Sequence, residues 1–202
     1  MTEASPVTHM GFLEPELYKP ESIGMPLART ECRIVDDSGN EVLRGEPGEL
    51  LIRGPQIMLG YWKAPEATEA VLHDGWYWTG DVVRVDEAGL YYVVDRRKEL
   101  IKYKGFSVAP AELEGVLLEH EAVRDCGVVS RKDQEAGEVP CAFVVLREGF
   151  VEDRNTEQSL MDYLGERLTY YKMPREIRFV TAIPRTASGK ILRRKLREML
   201  TM

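Results

Sequence analysis

The chain has 202 residues, 44% hydrophobic, 30% charged and 8% aromatic, enough for one sizeable core or two small ones. That composition excludes disordered, collagen-like and coiled-coil classes. The net charge of −7 hides an asymmetry: residues 170–202 hold nine Lys/Arg against two Asp/Glu, so the rest of the chain is strongly acidic, which argues against a general nucleic-acid binder.

From the N-terminus, Met1 leads into Thr-Glu-Ala-Ser-Pro rather than a basic and then apolar signal segment. The longest apolar runs, such as 142–146, are far too short to cross a bilayer. A cytoplasmic protein with no transmembrane segment is expected. Cys32, Cys126 and Cys141 are scattered and odd in number, so neither a zinc knuckle nor a disulfide framework is expected. The first half reads as β-rich. Polar and apolar residues alternate over 31–36, predicting a strand, and Asp37-Ser38-Gly39-Asn40 reads as a turn. Residues 49–53 predict a second strand, and Pro65 suits the first position of a short helix over 65–72. Residues 82–86 and 90–95 predict a hairpin around Glu87-Ala88-Gly89.

The character changes near Arg96-Arg97-Lys98. A strand over 99–104 precedes Gly105, and Pro110 opens a helix with Leu113, Val116 and Leu117 on one face. Strands are predicted over 122–130 and 141–147. A helix over 156–168 sets Leu160, Leu164 and Leu168 four apart, as a core stripe. A strand over 177–180 and a basic helix over 191–200 close the chain. The expected class is α+β. Residues 1–96 form a β-rich, distorted barrel-like piece and residues 97–202 a small α+β domain.

Three stretches carry candidate chemistry. In Pro184-Arg185-Thr186-Ala187-Ser188-Gly189-Lys190 a flexible loop of small residues delivers one Lys just before a helix. An ammonium on a long stem can reach into a neighbouring site as a movable point charge, though a solvated surface Lys reads the same. The spacing is not that of a P-loop. In Trp78-Thr79-Gly80-Asp81 a Gly before an Asp between two strands can hold a carboxylate against both hydroxyls of a ribose; an Asx-type turn is the alternative. Residues 95–106 pack five cations between two strand signals, as a functional joint or an exposed linker.

Taken together, in this order and spacing, these segments resemble the C-terminal part of the adenylate-forming enzymes. That family includes acyl-CoA synthetases, 4-coumarate–CoA ligases, firefly luciferase and peptide-synthetase adenylation domains. Met1-Thr2-Glu3 resembles the end of the family's Tyr-Gly-Met-Thr-Glu motif. Gly60-Tyr61-Trp62, Pro65-Glu66-Ala67-Thr68, Asp74-Gly75-Trp76 and Thr79-Gly80-Asp81 resemble its ribose-binding segment. Asp95-Arg96-x-Lys98 resembles the hinge motif, and Ser188-Gly189-Lys190-Ile191 the catalytic-lysine motif. The hinge sequence and the Leu-Arg-Arg ending are similar to acyl-CoA ligases, in particular to medium- or long-chain fatty acid–CoA ligases.

The resemblance implies an enzyme that uses ATP, Mg²⁺ and coenzyme A to adenylate a carboxylic acid and then form its thioester. It implies that Lys190 is catalytic, that Thr2, Asp81 and Arg96 bind the nucleotide, and that Glu3 helps hold the metal. Lys98 would be the hinge of a C-terminal lid domain. Lys102, Lys104, Gly105 and Phe106 would serve the thioester step, with Gly105 leaving room for a narrow thiol arm. The family's phosphate loop, most of its acyl pocket and part of its adenine site lack counterparts here. The chain is therefore expected to be a piece of a longer protein, with the missing N-terminal half as its partner, and not to be competent alone. A non-catalytic interaction module that keeps the lid fold is the alternative.

Overall fold

A computed structural model describes residues 1–200. The chain divides into two compact units, Met1–Lys98 and a second that begins at Glu99.

The first unit opens with a single 3₁₀ turn, Thr2–Ala4, and a short antiparallel ribbon of β1 (His9–Met10) and β2 (Met25–Pro26). There follow β3 (Glu31–Val35), β4 (Gly48–Arg53), α1 (Pro65–Glu69), β5 (Leu72–His73), β6 (Trp76–Val85) and β7 (Tyr91–Arg96). The sheet runs β3-β4-β6-β5, with β7 also on β6, and every pairing is antiparallel. It is open: no closed barrel forms among the described residues. Strand β4 lies inside the sheet and is buried on both faces, which is why Leu50-Leu51-Ile52 is a continuous apolar run. Leu50 and Ile52 pack with Ile34 and Val83, whereas Leu51 packs with Val35 and Trp76.

Strand β6 starts earlier than the sequence predicts. Trp78-Thr79-Gly80-Asp81 lies within it rather than between strands. The pairing with β4 steps from Leu51↔Trp78 to Glu49↔Val82, so Thr79, Gly80 and Asp81 together oppose Leu50. This is a β-bulge, a device that re-aims a side chain. Its residues read as a turn because a bulge uses the same Gly with positive φ, here +69°.

The second unit contains β8 (Ile101–Tyr103), β9 (Phe106–Val108), α2 (Pro110–Leu118), β10 (Val123–Asp133), β11 (Gly137–Leu146), α3 (Arg154–Gly165), β12 (Glu176–Phe179) and α4 (Arg193–Leu200). The sheet order is β10-β11-β8-β9, with β12 parallel to β11. Residues 139–145 of β11 are all buried because both sheet faces are covered. Ala142 and Val144 meet Leu113, Leu117, Leu160 and Leu164 of α2 and α3, while Cys141, Phe143 and Val145 meet Leu196 of α4.

Three boundaries differ from the sequence expectation. The β10–β11 hairpin extends through the polar stretch 131–140, closed by Asp133, whose Oδ1 accepts from the amides of Glu135 and Ala136. Helix α3 begins under an Asp153 cap and ends at Gly165, although Leu168 is still buried. Helix α4 starts only at Arg193, because Ile191 pairs with Arg185. Among the described residues no helix is long and apolar enough to cross a membrane.

Candidate functional site

In the first unit a cleft of about 500 Å³ opens beside the bulge, lined by Glu3, Tyr61, Tyr77, Thr79, Gly80 and Arg96 among others. The bulge is fixed by its own side chains. The Thr79 hydroxyl donates to the Leu50 carbonyl at 2.8 Å and accepts from the Asp81 amide at 3.0 Å. The Gly80 amide donates to Glu49 Oε1 at 3.2 Å, and Glu49 Oε2 accepts from Arg97 Nη1 at 2.6 Å. Arg97 also reaches Asp37 at 3.0 Å. Asp81 and Arg96 are cross-strand partners, with Arg96 Nε 2.7 Å from Asp81 Oδ1 and Arg96 Nη1 donating to the Thr79 carbonyl at 3.1 Å.

Glu3 sits in the opening turn, where its Oε1 accepts the Tyr61 hydroxyl at 2.9 Å and its carbonyl the Met58 amide at 2.8 Å. A hydrogen bond from its own backbone amide, and after it one from the Tyr61 hydroxyl, hold its carboxyl below the usual range against the opposing effect of burial. Burial, followed by the Glu3 charge, pushes the Tyr77 phenol up, so Tyr77 stays neutral beside the cleft. Thr2 is exposed in the same turn as Glu3. For a divalent cation the described residues offer no group of three His, Cys, Asp or Glu. A lone Glu3 carboxylate fits a Mg²⁺ ion that draws most of its ligands from phosphate oxygens and water.

In the second unit Lys190 is exposed at the end of a hydrogen-bonded turn. The Thr186 amide donates to the Lys190 carbonyl at 2.8 Å, and the Thr186 hydroxyl accepts from the Lys190 amide at 3.1 Å. The β8–β9 hairpin turns at Lys104 and Gly105, with φ of +45° and +88°. Two positive φ angles in a two-residue connection are the type I′ signature. A Cβ at Gly105 would meet nothing within 4 Å, so turn geometry, not close packing within this unit, requires glycine there. Lys102 Nζ donates to Ser107 Oγ at 2.9 Å, and the half-exposed Phe106 stacks on Tyr171 with ring centroids 4.7 Å apart. Lys98 is exposed in a single 3₁₀ turn, Arg97–Glu99, as the last residue of the first unit.

The structure brings Glu3, Asp81 and Arg96 to one unit and Lys102, Lys104, Gly105, Phe106 and Lys190 to the other. Sequence reasoning missed Glu49 and Arg97 as supports of the bulge and Tyr77 as a cleft wall. Glu49 had one signal, a lone acid at the head of an apolar strand.

Two family models match the chain: that of the AMP-binding enzymes over residues 1–62 and that of their C-terminal domain over residues 112–190. The chain is 46% identical over 202 residues to 4-coumarate–CoA ligase 1 of Glycine max, covering 98% of this chain and 68% of that protein. It is 40% identical over 198 residues to a long-chain-fatty-acid–CoA ligase of Escherichia coli O157:H7, covering 98% of this chain and 34% of that one. Among solved structures it superposes with a TM-score of 0.87 and 38% identity on o-succinylbenzoate CoA synthetase from Bacillus subtilis in complex with the acyl-adenylate intermediate, covering 98% of this chain and 40% of that one. The chain spans little more than a third of the length of several curated relatives it matches.

Proposed function

This chain belongs to the AMP-binding, adenylate-forming enzyme family, and we propose that it serves an ATP-dependent acid–CoA ligase. Such an enzyme joins a carboxylate to the α-phosphate of ATP, releasing pyrophosphate. It then passes the acyl group to the thiol of coenzyme A, with AMP leaving. The observation that carries this reading is the bulge that holds the Asp81 carboxylate: its Thr79 and Gly80 line a polar cleft, as does Arg96, whose Nε lies 2.7 Å from Asp81 Oδ1. A rigid carboxylate suits a pair of ribose hydroxyls. Arg96 would meet the ribose edge, and Thr2 would donate to the phosphate of the adenylate.

The first step brings two anions together, so catalysis is largely charge neutralisation. Lys190 would bridge the carboxylate and the α-phosphate as charge builds up. Glu3 would help hold Mg²⁺, which supplies further neutralisation of the phosphates. For the second step Lys98 would act as the hinge. The turn at Lys104, Gly105 and Phe106 would then line the path of the pantetheine arm, and Lys102 would assist. For the acid, the sequence expectation is a medium- or long-chain fatty acid. The higher identity to a 4-coumarate–CoA ligase favours a second reading, a hydroxycinnamic acid.

The test is acid-dependent ATP–pyrophosphate exchange and acyl-CoA formation by the protein that carries this chain, across a panel of long-chain fatty and hydroxycinnamic acids. AMP must be the nucleotide product. Release of ADP, or no acid-dependent exchange with either class, would overturn the reading.

A further inference from the structure

Lys190 does its proposed work at the end of a long stem, yet the turn that carries it is anchored on both sides. Before it, Arg185 forks onto Asp125: Nη2 lies 2.6 Å from Oδ1 and Nε 3.3 Å from Oδ2, while Nη1 donates to the Gly189 carbonyl at 2.7 Å. After it, Arg193 Nη2 reaches both oxygens of Glu114 at 2.7 and 2.8 Å, and its Nε donates to the Val128 carbonyl at 3.2 Å. The Val128 amide in turn donates to Glu114 Oε1 at 2.8 Å. The second pair is the more buried, with side chains 16% and 12% exposed against 39% and 29% for the first. Asp125 and Val128 lie on β10 and Glu114 on α2, so both anchors end on one packed block.

A third contact pins the same segment. Leu196 of α4 is fully buried, and a Cβ at Gly127 of β10 would lie 2.8 Å from its Cδ1. Helix α4 thus sits directly on the β10 backbone, eight residues in all from Arg193. No residue of 184–192 is fully buried and only Ile191 packs on the core, yet a two-nitrogen fork from Arg185 to Asp125 and a single Arg193 nitrogen shared by both Glu114 oxygens bracket them. A fork such as that of Arg185 on Asp125 gives geometric specificity as well as attraction.

We propose that Asp125 and Glu114 are positioning residues for Lys190, holding the 185–193 segment on β10 so that the lysine is presented from a fixed base. A rigid base matters because a lysine stem carries about 2 kcal/mol of rotamer entropy, and a displacement of about 1 Å can cost about 10²-fold in rate. This inference rests on the reading of Lys190 as the adenylation lysine.

The experiment pairs a physical readout on this chain with a kinetic one. Asp125→Asn keeps the size of the side chain and removes the charge; Asp125→Glu restores the charge; Glu114→Gln tests the second anchor. In hydrogen exchange, Asp125→Asn is expected to speed the amides of Gly189 and Lys190 by at least about tenfold while those of β11 stay protected. In the protein that carries this chain, it is expected to slow adenylation by about tenfold or more and leave thioester formation from pre-made acyl-adenylate unchanged. Asp125→Glu should recover part of the loss. Arg194→Ala, whose ion pair with Glu198 is exposed, serves as a control that changes neither readout. Unchanged exchange at residues 189 and 190, or equal loss in both half-reactions, would overturn the proposal. Lys190→Ala separates the two ideas: if it leaves adenylation intact, the role of the lysine falls, while the exchange data still judge the tether. If Glu114→Gln unfolds the second unit, the Asp125 pair of variants still decides.

Discussion

Arg96 is the cross-strand partner of Asp81, and its Nε lies 2.7 Å from Asp81 Oδ1 although half of the Arg96 side chain is exposed. An ion pair this exposed contributes at most about 1 kcal/mol to stability. Its use is orientation: it holds one carboxylate oxygen while the bulge holds the backbone.

Nucleotide binding should therefore respond more than stability to changes at this pair. Asp81→Ala should weaken AMP binding to the chain by about tenfold or more, since hydrogen bonds to a charged acceptor are worth about 1.5–3 kcal/mol. Arg96→Ala should weaken it less, with little change in the unfolding midpoint. Calorimetric titration with AMP and with 2′-deoxy-AMP checks both, because loss of a hydroxyl should matter only where Asp81 is intact.

Lys190→Ala should depress adenylation by about two to three powers of ten, the usual cost of removing a preorganised electrostatic donor. Thioester formation from pre-made acyl-adenylate should stay near wild type. Equal loss in the two half-reactions would reduce Lys190 to a structural residue.

Lys98→Pro tests the hinge. Proline fixes φ near −65° and removes the N–H, so the angle changes that a domain rotation needs would be blocked. Pyrophosphate exchange should survive while thioester formation falls by at least about tenfold, roughly 1.4 kcal/mol of barrier. If both steps fell together, or neither, Lys98 would not be the pivot.

His9 should make the first unit acid-sensitive. It is buried against Tyr91, with ring centroids 4.7 Å apart, between Thr8 and Cys32, and burial lowers its pKa to about 4. Protons therefore bind the unfolded chain first. The stabilisation is complete above the ordinary value of 6.5 and is lost as pH falls from there towards about 4. Urea titration followed by tryptophan fluorescence reports this unit, since Trp62, Trp76 and Trp78 are the three tryptophans of the chain. Replacing the ring by His9→Gln should shrink the loss between pH 7 and pH 4.5 by on the order of 2 kcal/mol. An unchanged difference would mean that His9 does not titrate in this way.

Much of the architecture was legible in residue pattern alone. Alternation over 31–35, the apolar run 50–52 and the leucine spacing of 160 and 164 each report a local period, and the local period survives into the fold. The motifs around Asp81, Lys98 and Lys190 were legible for a related reason: short segments with special backbone or charge need unusual residue combinations. What the residues next to one another could not determine was support from afar. Glu49 under the bulge, Arg97 bridging it to Asp37, and Asp125 and Glu114 bracketing the lysine turn all act across 31 to 79 positions of chain. Sheet register, helix packing and turn placement together decide which of many acids and arginines meet, because a direct ion pair needs close approach in space and is indifferent to sequence separation. The turn at 185–191 shows the same division. Its small residues read as flexible, and only the contacts made by Arg185 and Thr186 turn that permissive sequence into a defined support for Lys190.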